Sequence, residues 1–175
     1  VRAFDGNLTE SSVQFNAYGQ QTQVVKPAAN ATATTSFLYD ALNRVVQETL
    51  PDGNKVRTFY RGLTTTVARS NGATTVNPNG GGSTNGSGLL HVNSKTNNAQ
   101  GLVASADSSS SGSGIDSFDP AVTSTVTTLT TTYYGYDALG NLAQVDTPAA
   151  NSTRAVKQMI YDRRGRQTQL VDPDA

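Results

Sequence analysis

Short runs of mixed apolar and polar residues recur along the chain, each broken by a cluster of Gly, Asn, Asp or Pro. Examples are RVVQETL from Arg44, NLAQVDT from Asn141 and RQTQLV from Arg166. The runs are about seven residues long and rich in Val, Leu, Thr and Gln, which predicts strands of roughly 20 Å at about 3.3 Å per residue. Return runs follow, as in KVRTFY ending at Tyr60 and RAVKQMIY ending at Tyr161. Apolar and polar positions alternate only weakly within these runs, so the pattern predicts strands without assigning an inward face.

The breaks between runs share one chemistry. Asn16-Ala17-Tyr18-Gly19, Asp40-Ala41-Leu42-Asn43, Asn98-Ala99-Gln100-Gly101, Asp137-Ala138-Leu139-Gly140 and Asp162-Arg163-Arg164-Gly165 each start with Asp or Asn and end with Gly or Asn. A carboxylate or amide at the first position accepts from N–H groups just ahead of it. Gly, or next best Asn, takes a left-handed conformation at the last position. Such turns join β-hairpins. Four residues after Gly19, Asn43, Gly140 and Gly165 stands Gln23, Gln47, Gln144 or Gln169. Eight residues after them stands Pro27, Pro51, Pro148 or Pro173. Proline has no N–H for a ladder, so it is expected to end each strand. A second reversal follows, PDGN at Pro51 and PAAN at Pro27 and Pro148. The unit is strand, turn, strand, turn, with a period of 24 or 25 residues where it is cleanest.

One hairpin is marginal in water, whereas stacked hairpins pair each edge with a neighbour and build a long, twisted sheet. The expected fold class is therefore all-β: tandem antiparallel β-hairpin repeats. Three regions are expected. Residues 1–69 and 133–175 carry the repeats, and residues 70–132 form a Gly/Ser/Thr/Asn-rich insertion. Within the insertion, NPNGGGSTNGSG and SADSSSSGSGIDS read as flexible rim loops. HVNSKTNNAQGLVASAD reads as a decayed repeat, with Asn97, Ser105 and Ser109 where Tyr, Gln and Pro are expected. TSTVTTLTTT, from Thr123 to Thr132, is β-prone and is expected to re-enter the sheet.

The repeat resembles the YD repeats of the RHS family. The match rests on Tyr39, Asp40, Asn43, Gln47 and Pro51, on Tyr136, Asp137, Gly140, Gln144 and Pro148, and on Tyr161, Asp162, Gly165, Gln169 and Pro173. FYRGLTTTV, from Phe59 to Val67, is similar to the family's variant strand with Tyr-x-Gly-Leu. The resemblance implies a segment of a spiralling β-shell that encloses a C-terminal toxin or other cargo, secreted or at a cell surface, in a bacterial source. It implies as partners the neighbouring repeats of the same longer chain and the enclosed domain. Open sheet edges add a possible edge-to-edge homo-oligomer. Some YD-repeat proteins mediate contact at cell surfaces, so a cell-surface adhesion or carbohydrate-binding module is the alternative.

Composition and candidate chemistry leave little else. Lys plus Arg number 13 and Asp plus Glu number 13 in 175 residues, and this zero balance argues against nucleic acid as the main partner. With no Cys, disulfides and thiolate metal sites are excluded. No apolar run approaches the ~20 residues of a membrane span. The chain opens at Val1 and reads as a piece of something longer, with any targeting segment out of view. The repeat Tyr is expected to stack on its counterparts while its hydroxyl finds a polar partner; a sugar- or peptide-binding ladder is the sharper reading. The adjoining Asp exchanges with Asn, which a turn tolerates and acid–base catalysis does not. His91 is the sole His and lacks a partner motif, Ser108–Ser111 is a polar run without a base, and the loop at Gly80 lacks a phosphate-binding Lys. Asp107, Asp116 and Asp119 fit no calcium-loop spacing. Asn7, Asn30, Asn85 and Asn151 stand in glycosylation sequons that a Thr/Ser/Asn-rich chain produces by chance. No catalytic residues, metal or cofactor are expected, and the chain reads as a non-enzyme.

Overall fold

The computed structural model describes residues 2–4, 10–28, 31–70, 90–112, 114–122, 126–148 and 154–172. Thirteen strands run through them: β1 (Arg2–Phe4), β2 (Glu10–Phe15), β3 (Gln21–Ala28), β4 (Ala31–Tyr39), β5 (Val45–Thr49), β6 (Lys55–Arg61), β7 (Thr64–Arg69), β8 (Leu90–Asn97), β9 (Val103–Ser111), β10 (Val126–Tyr136), β11 (Leu142–Pro148), β12 (Arg154–Tyr161) and β13 (Gln167–Val171). They form one open sheet in which spatial order is sequence order. Every pairing with a described register is antiparallel. The protein is all-β; among the described residues there is no helix, and none long and apolar enough to cross a membrane.

The hairpins share a device that periodicity alone does not reveal. In β2–β3 the register runs Gln14↔Gln23 and then Phe15↔Gln21. In β4–β5 it runs Leu38↔Gln47 and Tyr39↔Val45, in β10–β11 Gly135↔Gln144 and Tyr136↔Leu142, and in β12–β13 Ile160↔Gln169 and Tyr161↔Gln167. One residue of the outgoing strand is skipped each time: Thr22, Val46, Ala143 or Thr168. The turn brings its own bulge at its left-handed last residue, and this skipped residue is a second bulge three positions further along the strand. The bulge sets the repeat Gln opposite the residue two before the turn. Gln23, Gln47 and Gln144 also pair on their other side, with Ser36, Arg57 and Gln158. The repeated spacing from turn to Gln is thus a register, two strands deep.

The prolines correct one expectation. Pro51 does leave the strand, since β5 ends at Thr49. Pro27 instead lies inside β3 opposite Thr32, and Pro148 is the last residue of β11 opposite Arg154. The pairing of the preceding hairpin stops at Ser12↔Val25 and Tyr133↔Asp146, two residues short of each proline. Where the ladder on one side has ended, a strand tolerates a residue without an N–H. Pro173 lies outside the described residues, as do the Asn30 and Asn151 of the PAAN reversals. The FYRGLTTTV stretch also differs from a single variant strand. β6 and β7 are joined through Gly62 and Leu63, with Gly62 at φ 56° as a two-residue hairpin with Gly first requires.

The chain divides into two compact units. One comprises Val1–Phe59, Ala68–Leu90 and Ser113–Phe118; the other comprises Tyr60–Val67, His91–Gly112 and Asp119–Ala175. In the first, the buried residues are Ala68, Leu90, Ile115 and Phe118; in the second they are Val92, Thr66, Ser109 and Ser111. All eight lie between positions 66 and 118, and no described residue of β2–β6 or β10–β13 is buried. A single sheet leaves two faces to water, so burial appears only where something covers it. One part of the insertion is corrected: the start of SADSSSSGSGIDS, expected as a rim loop, is strand through Ser111, while NPNGGGSTNGSG lies outside the described residues. HVNSKTNNAQGLVASAD is the β8–β9 hairpin, and the SSSS run belongs to β9.

Candidate functional site

The rim turns are the most regular chemistry in the molecule. Asp40 Oδ1 accepts from the N–H of Leu42 at 2.9 Å and of Arg44 at 3.0 Å. Asp137 Oδ1 accepts from Leu139 at 2.9 Å and Asn141 at 2.8 Å, and Asp162 Oδ1 from Arg164 at 2.8 Å and Arg166 at 3.0 Å. Asn16 and Asn98 reproduce the pattern with an amide oxygen, each accepting two N–H bonds of 3.0 Å. The last residue of each turn donates its N–H to the carbonyl of the first, at 3.0–3.1 Å. Gly19, Gly101, Gly140 and Gly165 sit at φ 76°, 82°, 84° and 75°, and Asn43 at 64°. The turn at PDGN keeps the backbone plan, with Gly53 at φ 81° donating its N–H to the Leu50 carbonyl at 2.9 Å. Its carboxylate stands third instead: Asp52 Oδ1 accepts from the Asn54 N–H at 2.9 Å.

The second carboxylate oxygen is engaged as well. Arg44 Nε donates to Asp40 Oδ2 at 2.8 Å, Arg166 Nε to Asp162 Oδ2 at 2.7 Å, and Asn141 Nδ2 to Asp137 Oδ2 at 2.8 Å. These donors favour the ionised form. The Arg44 N–H and guanidinium hold Asp40 below the usual carboxylate range, and those of Arg166 do the same for Asp162. The Asn141 side chain and N–H lower Asp137; the Asn54 N–H and side chain lower Asp52. Chemically these carboxylates are acceptors saturated by their own loop.

The repeat tyrosines differ from the expected stack. Among the described residues the repeat rings do not pair with one another, and the ring pair is Phe59 with Phe118. The hydroxyls reach back across the sheet instead. Tyr39 donates to the Gln21 carbonyl at 2.7 Å, Tyr136 to Val103 at 2.9 Å and Tyr161 to Leu142 at 2.9 Å. Each acceptor is the second residue after the last position of the preceding turn, Gly19, Gly101 or Gly140. Tyr136 spans to the hairpin that lacks its own Tyr, so the NAQG hairpin is a working member of the series. Neighbouring turns also meet directly, where Gln20 Nε2 donates to Asn43 Oδ1 at 3.0 Å.

A second constellation, in the first unit, was not foreseen. The segment 114–118 is pinned to β6 by side chains at alternate positions of that strand. Lys55 Nζ contacts both carboxylate oxygens of Asp116, at 2.6 and 2.8 Å. Arg57 Nη1 donates to the carbonyls of Ile115 at 2.9 Å and Asp116 at 3.0 Å, with Phe118 at 3.5 Å. The Arg57 guanidinium lies 4.9 Å from the centre of the Phe59 ring, and Phe59 meets Phe118 edge to face at 5.6 Å. The clue in the sequence is Ile115 and Phe118, two large apolar residues three apart in a Ser/Gly/Asp tract.

The remaining candidates stay apart. Asp116 is ion-paired with Lys55 and, in the second unit, Asp119 with Arg61 at 2.7 Å. Among the described residues no three His, Asp or Glu side chains gather as a metal set. His91 is exposed on β8. Asn7, Asn85 and the loop at Gly80 lie outside the described residues. No family model and no curated protein matches this chain.

Proposed function

We propose that this chain is a non-catalytic wall segment of an RHS-type YD-repeat shell, whose purpose is enclosed area rather than chemistry. The observation that carries the reading is the recurrence of one turn, with one bulge and one hydrogen-bond pattern, along a sheet laid down in chain order. Each hairpin adds the same increment, and the Tyr hydroxyl ties one increment to the last. A protein built this way gains surface in proportion to repeat number. On this reading the sheet continues as a twisted spiral around a C-terminal toxin or other cargo, in a secreted or cell-surface protein of a bacterium. The strands at the ends of the order, β1 and β13, pair with further repeats of the longer chain or, in the isolated segment, with another copy.

The experiment is expression of this chain with its flanking coding sequence, followed by electron microscopy and limited proteolysis. A hollow particle whose C-terminal domain resists protease until the repeats are cut supports the reading. A flat or rod-like particle with no protected domain contradicts it. The isolated chain is expected to gain mass with concentration by light scattering; a strict monomer counts against edge pairing.

A further inference from the structure

The second unit carries a groove of about 500 Å³ across β7, β8, β9 and β10. Its polar lining is Thr65, Asn93, Lys95, Ser108, Thr130 and Thr132. Strand alternation puts these residues on one face, because Thr130 pairs with Ser108 and Thr132 with Ala106, and side chains of paired residues share a side. Ser94 and Asp107 border the groove but belong to the opposite face. Ser94 Oγ shares a 2.9 Å hydrogen bond with buried Thr66, and Asp107 alternates with buried Ser109 and Ser111.

The two faces treat their polar groups differently. On the covered face hydroxyls pair with each other, Thr66 with Ser94 and Thr64 with Thr96 at 2.9 Å. On the groove face none of the six polar side chains makes a hydrogen bond or ion pair to another described residue. Lys95 is the groove's cation, and by alternation no carboxylate shares its face of the lining. This is a surface of unclaimed donors and acceptors around one positive charge. Val67 and Ala106 leave apolar ground between them.

We propose that this groove binds an acidic saccharide, with Lys95 on the carboxylate and the Thr, Ser and Asn side chains on ring hydroxyls. The volume falls within the range of small-ligand sites. A peptide fits less well. Peptides take an open strand edge or an apolar pocket, and the edges of β8 and β9 are already paired within the sheet. Hydroxyl-rich ligands instead match a face of unpaired hydroxyls and amides, and a lone ammonium selects for an anion. The proposal stands independently of the shell reading.

The test is calorimetric titration of the chain with trigalacturonate and with a neutral galactose trisaccharide, at low salt. Trigalacturonate is expected to bind about tenfold or more tightly than its neutral counterpart. Lys95→Gln should erase that preference, Thr130→Val should weaken both saccharides, and Lys26→Gln, on β3, should change neither. Circular dichroism of each variant confirms that it folds. Equal affinity for the two saccharides overturns the proposal. So does unchanged binding in Lys95→Gln, binding of neither saccharide, or an oligo-glutamate peptide that binds as tightly as trigalacturonate.

Discussion

The hairpins of β2–β5 and β10–β13 and the stretch between positions 66 and 118 solve folding in opposite ways. Among the described residues the hairpins carry the repeated turn and no buried residue, and the middle carries one such turn and all of the burial. In the hairpins each unit is held by bonds within a few residues of itself and by ladder bonds to its neighbours. At the end of the middle, segment 114–118 is held to β6 by side chains far apart in sequence, such as Phe118 and Arg57. Repetition in a sequence therefore marks where local geometry is dictated, which is a different thing from where the molecule is most resistant to unfolding.

Several substitutions separate the two regimes. The largest effect is expected from Phe118→Ala, which empties a nearly solvent-free site beside Phe59. Loss of a buried Phe costs about 3–5 kcal/mol, read by urea denaturation. Arg57→Ala removes the donor to three carbonyls of the same segment and is expected to cost about 1–3 kcal/mol. It should also open residues 112–122 to protease. The two losses should be less than additive in the double variant, because both act through one segment; full additivity would separate them.

The hairpins should respond more weakly. Gly140→Ala forces a side chain into the left-handed region at φ 84° and is expected to cost about 1–2 kcal/mol, whereas Asn43→Gly should be close to neutral. Tyr136→Phe deletes only the hydroxyl bond to Val103 and should cost about 0.5–1.5 kcal/mol. A cost above that of Phe118→Ala would reverse the ranking of the two regions.

The smallest expected effect is on pH dependence. Asp40, Asp137 and Asp162 have folded pKa values below the ordinary 3.8. Their contribution is complete above that ordinary value and is lost as pH falls through the lowered folded values, because the unfolded chain takes up protons first. Replacing all three with Asn keeps the turn acceptor, as Asn16 and Asn98 do. It should lower the denaturation midpoint slightly at neutral pH, where the carboxylates' contribution is complete, and flatten the fall in midpoint below about pH 4. An unchanged acid slope would show that these carboxylates do not couple to folding.

The hairpins were legible because turn chemistry is local. Asp137 and Gly140 declare themselves three residues apart, and Gln144 follows from the register. The bulge at Thr22, Val46, Ala143 and Thr168 was not legible, since a skipped residue has no composition of its own. Pro27 and Pro148 misled because whether proline ends a strand depends on where the ladder to the preceding strand stops. Tyr39, Tyr136 and Tyr161 were expected to meet by stacking, and their hydroxyls reach main-chain carbonyls instead. The segment 114–118 escaped because its text is Ser, Gly and Asp, and its anchors on β6 are Ile115 and Phe118, two residues with no period. The basic partners Lys55 and Arg57 lie about sixty positions away, a pairing that only topology creates.

Native-state hydrogen exchange tests the contrast most directly, since it reads opening strand by strand. The slowest amides should lie in β7, β8 and β9, with β2–β5 and β11–β13 exchanging through lower-energy openings one hairpin at a time. Uniform protection along the sheet, or the strongest protection in the repeated hairpins, would contradict the account.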